Sequence, residues 1–133
     1  IPESVVKIGA GAFRTCWALQ SIDILGEIDK IDNGTFSGCS SLKNVVIPNS
    51  VKYIGINAFW GCNSLSKVVI PENVTSIGDF AFSNCGSLSG INIPDSVTSV
   101  GGCAFMSCWS LPSSKEEEII SRFGERAMKE TFD

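Results

Sequence analysis

Residues 47–65 read IPNSVKYIGINAFWGCNSL, and residues 70–88 repeat the same pattern as IPENVTSIGDFAFSNCGSL. Over residues 1–112 the pattern keeps one constant period, without an insertion or a deletion. A fixed period between about 20 and 50 residues indicates stacked supersecondary units, each of which buries its apolar side chains against its neighbours. The sequence therefore predicts a solenoid over residues 1–112, with five repeats that begin at Ile1, Ile24, Ile47, Ile70 and Ile93.

Two short β-branched segments in each repeat predict strands. The first segments, of the form L-x-x-[VI]-x-I, occupy residues 19–24, 42–47, 65–70 and 88–93. Pro48, Pro71 and Pro94 follow three of them, as expected where a strand stops, because proline cannot donate to a ladder. The second segments occupy residues 5–8, 28–31, 51–54, 74–77 and 97–100. Strands one period apart should lie parallel, about 4.8 Å apart, with like residues stacked on like.

A bend and a turn complete each predicted repeat. The second segment is followed by a glycine in four repeats and by Asp32 in the remaining one; the glycines are Gly9, Gly55, Gly78 and Gly101. We expect a sharp bend with positive φ there, because glycine adopts that conformation without steric cost. The A-F-x-x-C stretch that follows is too short for a proper helix. It predicts a 3₁₀ turn or a single helical turn that directs its Phe and Cys inward.

The repeated aromatic residues and cysteines predict a core ladder that runs the length of the solenoid. Its members are Phe13, Phe36, Phe59, Phe82, Phe105, Cys16, Cys39, Cys62, Cys85 and Cys108. A zinc site is disfavoured because its ligands must converge on one point. Disulfides between neighbouring repeats stay possible, since the repeat spacing suits a bridge. Buried, reduced thiols are the favoured interpretation. Cys103, at a variable position, is predicted to be partly exposed.

The tail after Pro112 differs from the repeat and predicts a helix. Ser113 and Ser114 each begin an S-x-x-E capping box, and the apolar residues that follow roughly keep helical spacing. Gly124 is expected to break or cap this helix. We interpret residues 113–133 as a C-terminal helical cap that covers the last coil.

The repeat I-P-x-S-V-x-x-I-G-x-x-A-F-x-x-C-x-x-L resembles the BspA-type leucine-rich repeat of bacterial surface proteins, over residues 1–112. The resemblance implies an α/β-type, right-handed leucine-rich-repeat solenoid. Its five 23-residue coils would carry a parallel sheet, short second strands and 3₁₀ or helical turns, closed by a C-terminal helix. It also implies extracellular or cell-surface proteins that bind host or bacterial partners. The family has no shared catalytic motif.

Composition argues against several classes of function. The net charge of −4 and the pI near 4.8 do not favour nucleic acid, whose partners carry a basic face. No apolar run approaches the roughly 18–20 residues of a transmembrane helix. The chain has no histidine, the commonest general acid–base group and metal ligand, and no base adjoins the repeated cysteines. We therefore predict no enzymatic activity, no metal and no cofactor.

Residues that change from repeat to repeat provide the candidate ligand-binding surface. Outward strand positions should place Val46 beside Val69, flanked by Lys43 and Lys67, and an exposed Trp60 would add an aromatic contact. The full candidate surface is Lys43, Asn44, Val46, Lys67, Val69, Asn92 and Trp60. Trp17 and Trp109 are weaker candidates for contact residues. An ordinary solvated sheet surface is the alternative interpretation.

Three functions remain compatible with the sequence. The leading hypothesis is a non-enzymatic protein-interaction or adhesion module of a secreted or surface bacterial protein, with a host matrix or neighbouring-cell protein as its partner. The alternatives are a structural spacer that holds another domain, and a cytoplasmic scaffold, since reduced cysteine suits a reducing compartment. Because Ile1 begins in mid-pattern, we expect upstream repeats or a cap. An uncapped first coil could self-associate, as an unprotected edge does.

Overall fold

The computed structural model describes residues 1–130, which form a parallel-sheet solenoid that ends in a single helix. The strands are β1 (Ser21–Asp23), β2 (Lys30–Ile31), β3 (Asn44–Val46), β4 (Tyr53–Ile54), β5 (Lys67–Val69), β6 (Ser76–Ile77), β7 (Gly90–Asn92) and β8 (Ser99–Val100). Helix α1 (Ser113–Phe123) follows, and then a 3₁₀ turn (Glu125–Ala127). The predicted solenoid fold is confirmed.

Each strand pairing is parallel and joins equivalent strands of successive repeats, as Ile22 with Val45 and Ile54 with Ile77 show. The second segments form one continuous four-stranded sheet, β2-β4-β6-β8. The first segments form two separate pairs, β1-β3 and β5-β7, so the expectation of one sheet there is wrong. The inward residues of the two pairs differ in burial, since Val45 in β3 is only half-buried whereas Val68 in β5 is buried.

Three of the four bend glycines, Gly55, Gly78 and Gly101, serve the close approach of neighbouring coils. A Cβ on Gly78 would lie 2.7 Å from the Ile56 nitrogen, which no real side chain tolerates. None of these bend glycines has positive φ, so the predicted conformation is wrong. Residues 5–8 also form no strand, contrary to the sequence.

Positive φ instead occurs at two other positions of every turn. The residues are Gly11, Gly34, Asn57, Phe80 and Cys103 at the first position, and Thr15, Gly38, Gly61, Asn84 and Ser107 at the second. A helix cannot pass through a left-handed residue. The A-F-x-x-C stretch therefore forms a series of hydrogen-bonded turns rather than the predicted 3₁₀ or helical turn. In one coil the Ala58 amide donates to the Gly55 carbonyl at 3.2 Å, and the Cys62 amide to the Phe59 carbonyl at 3.1 Å.

Hydrogen bonds and aromatic stacking join each turn to the next. The Phe36 amide donates to the Ala58 carbonyl at 2.8 Å, and the Phe59 amide donates to the Ala81 carbonyl at 2.8 Å. The five repeated phenyl rings stack with centroids 5.2–5.5 Å apart and nearly parallel planes. All but Phe13, which belongs to the first coil, are completely buried. The core is thus a column shared between coils rather than a single centre.

Helix α1 lies on the last coil and is fixed there by an arginine. Arg122 donates to the Ile93 carbonyl at 2.6 Å and to the Pro94 carbonyl at 2.9 Å. The predicted capping boxes are wrong, since Pro112 is the N-cap residue and no side chain caps the helix. Gly124 is the C-cap, as expected, with φ of 88° and its amide donating to the Ile120 carbonyl.

The turn after α1 keeps the phase of the repeat. Gly124 and Ala127 each lie one repeat period after Gly101 and Ala104. The Phe105 amide donates to the Ala127 carbonyl at 2.8 Å, in the manner of the bonds between complete coils. This turn therefore supplies the acceptors that a further coil would otherwise provide. The division into a solenoid over residues 1–112 and a cap over residues 113–133 stays a prediction.

Replacing Arg122 tests how the helix is held. We expect Arg122→Ala to lower the free energy of unfolding by about 2 kcal/mol, because it removes charge-assisted hydrogen bonds to two backbone carbonyls. The exposed Lys129→Ala is the matched control and should change stability by less than about 0.5 kcal/mol. Urea unfolding followed by circular dichroism measures both variants. Equal effects would mean that Arg122 does not anchor α1.

Candidate binding surfaces

The thiols of the core ladder are hydrogen-bonded donors. Cys39 donates from Sγ to the Phe13 carbonyl at 3.0 Å, and Cys62, Cys85 and Cys108 repeat this contact with the phenylalanine of the preceding coil at 3.0–3.2 Å. Burial raises the pKa of Cys62 and Cys85 well above the ordinary thiol value, and it raises the pKa of Cys108 to about 12. A thiol that stays protonated is a poor nucleophile and a poor metal ligand. The buried thiols of the ladder thus pack and donate hydrogen bonds, and they are poorly placed to react.

Cys16 and Cys103 depart from expectation in opposite directions. Cys16, a ladder residue in the first described coil, is only half-buried. Cys103 is 5% exposed, so the prediction of a partly exposed thiol is wrong. The C-terminal 3₁₀ turn covers it, and the Cys103 amide donates to the Arg126 carbonyl at 2.6 Å. Burial raises the pKa of this thiol too.

The outward strand positions of the candidate surface lie on β3, β5 and β7 or immediately beside them. Val46 and Val69 are 53% and 60% exposed, at the same position of successive coils. Lys43, Asn44 and Lys67 are also exposed. We name this set the strand face: Lys43, Asn44, Val46, Lys67, Val69 and Asn92. It combines two apolar side chains with two cationic groups on a backbone fixed by the core.

Asn92 has a structural contact that the sequence did not predict. Its side-chain amide donates to the Ile70 carbonyl at 3.0 Å and accepts from the Ile70 amide at 2.9 Å. The side chain therefore pairs with backbone groups of the neighbouring coil. A depression of about 500 Å³ lies beside it, lined by Val69, Pro71, Glu72 and Asn73 among others. The strand face thus ends in a concave region that a partner side chain could enter.

Trp60 lies away from the strand face, in the turn between β4 and β5. It is 41% exposed and lines a depression of about 430 Å³ together with Trp109, which is 82% exposed. Ser40, Asn63, Asn84 and Gly86 contribute to the same lining. We name this depression the tryptophan groove. The candidate surface predicted from the sequence therefore divides into two separate surfaces. The sequence did not reveal that Trp60 and Trp109 line one groove, because they occupy different repeat positions and belong to the third and the fifth repeat.

Comparison with known proteins identifies the family. The family model of the BspA type leucine rich repeat region matches residues 1–112. It finds six copies there, whereas the spacing of the sequence pattern gives five repeats. The chain belongs to the BspA-type leucine-rich-repeat family. The resemblance noted in the sequence is confirmed. No curated protein is similar enough in sequence to count as a match.

Solved structures of bacterial leucine-rich repeat proteins share this fold. The protein from Bacteroides ovatus ATCC 8483 is 31% identical over 100% of this BspA-type chain, with a TM-score of 0.73. The protein from Eubacterium ventriosum ATCC 27560 is 31% identical over 84% of it, with a TM-score of 0.76. This chain spans 41% and 30% of those two chains. A leucine-rich repeat protein from T. pallidum shares the fold alone, with a TM-score of 0.50. It is 20% identical in sequence, and the match covers 91% of this chain and 80% of the T. pallidum chain.

The helices and the ionisable side chains of this BspA-type repeat chain bear on membrane spanning and on metal binding. Within residues 1–130 neither the length nor the apolar character of any helix is sufficient to cross a bilayer. The same residues contain no group of three or more His, Cys, Asp or Glu side chains arranged to hold a metal ion.

Thiol accessibility tests the structure of the ladder. In the folded protein we expect Ellman's reagent to modify Cys16 first, because the other five cysteines are buried and hold their protons. After denaturation all six should react. A Cys16→Ser variant is the control, and it should remove the fast phase without changing the slow one. Rapid modification of Cys62 or Cys85 in the folded protein, located by mass spectrometry, would contradict this interpretation.

Proposed function

We propose that this protein is a non-enzymatic protein-interaction or adhesion module that holds a protein partner on its strand face. The observation that carries the proposal is the pair Val46 and Val69, two exposed apolar side chains at the same position of successive coils. Lys43 and Lys67 flank them, and the stem of Lys67 lies close to Gly90. Exposed apolar groups rimmed by charge are typical of protein-interaction sites.

The strand face suits recognition because its backbone is already fixed. Ile22, Val68 and Ile91, the inward residues of β1, β5 and β7, are buried and hold the strands against the core. A rigid surface loses little conformational entropy when it binds. A stable interface covers about 800 Å² of each partner, so the partner must extend beyond the two valines. The neighbouring depression beside Val69 provides a concave extension of that contact.

The lysines specify the charge of the partner. Lys43 and Lys67 are the two cationic groups of the strand face on a protein whose net charge is −4, and the exposed Asp23 lies beside Val46 across the β1-β3 pair. An acidic segment next to an apolar side chain would complement this arrangement, with the charges increasing the association rate. We propose a host matrix protein or a neighbouring-cell protein with such a segment as the partner.

We propose an extracellular or cell-surface location for the module, in accordance with the family. A structural spacer is the second candidate, because a stack of coils is rigid and its length grows with the number of repeats. The two functions differ in one measurable respect. An interaction module retains a partner through its strand face, whereas a spacer retains none.

Charge reversal on the strand face tests the proposed function. Immobilised protein is first used to select a partner from purified matrix proteins and from extracts of neighbouring bacteria. We expect Lys43→Glu combined with Val46→Asp to weaken that complex at least about 100-fold, since one charged and one apolar contact are both removed. Lys52→Glu, exposed on the second segment of a coil, is the control. Unchanged affinity in surface plasmon resonance would exclude the strand face, and a failure to retain any partner would favour the spacer.

A further inference from the structure

The tryptophan groove is elongated along the axis of the solenoid. Its lining extends from Ser40 in the second repeat to Trp109 in the fifth, with Trp60 at one side in the third. Three coil steps separate the ends, and each step is 5.2–5.5 Å between the stacked phenyl rings. The groove therefore matches an extended chain molecule rather than a compact ligand.

Small residues keep the floor of the groove low. Gly38, Gly61 and Asn84 occupy a turn position where φ is positive, which favours residues with small or short polar side chains. At the position of Trp109, the preceding repeats have Gly86, Asn63 and Ser40. A row of short side chains thus lies between two large aromatic ones. This contrast in size creates the groove.

The lining is neutral and amphipathic. None of the described side chains that line the groove carries a charge, although the protein as a whole has a net charge of −4. The indoles of Trp60 and Trp109 offer apolar ring faces and N–H donors. Asn84 and Ser40 offer amide and hydroxyl groups that both donate and accept, whereas the Asn63 amide already donates to the Asn84 carbonyl at 3.1 Å and offers chiefly its oxygen. Electrostatic complementarity therefore selects an uncharged ligand that has apolar faces and many hydroxyl groups.

Backbone groups along the groove are already hydrogen-bonded between coils. The Gly38 amide donates to the Trp60 carbonyl at 2.7 Å, and the Gly61 amide donates to the Ser83 carbonyl at 2.9 Å. The Ser40 carbonyl accepts from the Ser64 hydroxyl at 2.7 Å. One way in which an extended peptide gains affinity is to add its main chain to an open sheet edge, and the groove offers no such edge at these residues. Recognition must instead use side-chain amides, hydroxyls and indoles.

We propose that the tryptophan groove binds a neutral oligosaccharide. Sugar rings would stack on the indoles of Trp60 and Trp109, and their hydroxyl groups would bond to Asn63, Asn84 and Ser40. The groove is separate from the strand face, so this activity goes beyond the proposed protein interaction. It makes the protein a binder of uncharged glycan chains.

Titration calorimetry with cello-, laminari- and mannan oligosaccharides tests this proposal on the whole chain. We expect at least one of these neutral probes to bind, and we expect Trp60→Ala and Trp109→Ala each to weaken binding about tenfold. Trp17→Ala is the matched control. Trp17 has the repeat position of Trp109 and is 70% exposed, yet it does not line the groove. Its removal should leave the affinity unchanged.

A second variant blocks the groove without removing an aromatic residue. A Cβ on Gly86 would lie 3.9 Å from Trp109 Cδ1, which is ordinary contact, so Gly86→Gln should fold and occupy the floor. It should abolish oligosaccharide binding, whereas Lys43→Glu with Val46→Asp on the strand face should not. The proposal is overturned if none of the neutral oligosaccharides binds, or if binding survives both tryptophan variants. Binding of oligoproline with the same tryptophan dependence would also overturn it, in favour of a peptide site.

Discussion

The structure depends on one hydrogen bond that recurs from coil to coil. In it the amide of the repeated phenylalanine donates to a carbonyl of the next coil, as Phe59 does to Ala81 at 2.8 Å and Phe82 does to Ala104 at 2.7 Å. A buried amide without a partner costs about 1–3 kcal/mol, so a single coil could not form alone. These bonds accompany the stacking of the phenyl rings and the thiol contacts of the ladder. Stability is therefore shared between neighbours, and the turn at Ala127 satisfies the last bond of the described chain.

The constant period of the sequence made the solenoid and its buried ladder predictable, because residues that recur in phase must meet when parallel units stack. The same period could have revealed that Gly124 and Ala127 continue the phase. Conformational details were less accessible. Glycine at the bend could mean positive φ or close approach of a neighbouring coil, and a sequence does not distinguish the two. Here Gly78 serves close approach, whereas Asn57 adopts positive φ without being glycine.

The binding surfaces were predictable only in part. Alternation along a strand placed Val46 and Val69 on the outside, since successive side chains point to opposite faces. It could not show that Asn92 pairs with the backbone of Ile70, because that contact depends on the distance between coils. Alternation also could not show that Trp60 and Trp109 line one groove, because residues in turns do not alternate regularly between two faces. Cys103 was misjudged for a similar reason, as the chain that covers it lies one full repeat period further on.

The two surfaces can act separately because of how a solenoid is held together. Trp60 and Lys67 belong to the same repeat, but one projects from the turn and the other from the first strand segment. The column of Phe59, Cys62 and Leu65 between them is completely buried and fixes both positions. Because each coil interacts chiefly with its neighbours, a changed outer residue disturbs the column little. Constraint on the interior thus leaves the outer positions free to vary, as the two proposed ligands require, an acidic protein segment on the strand face and an uncharged chain in the tryptophan groove.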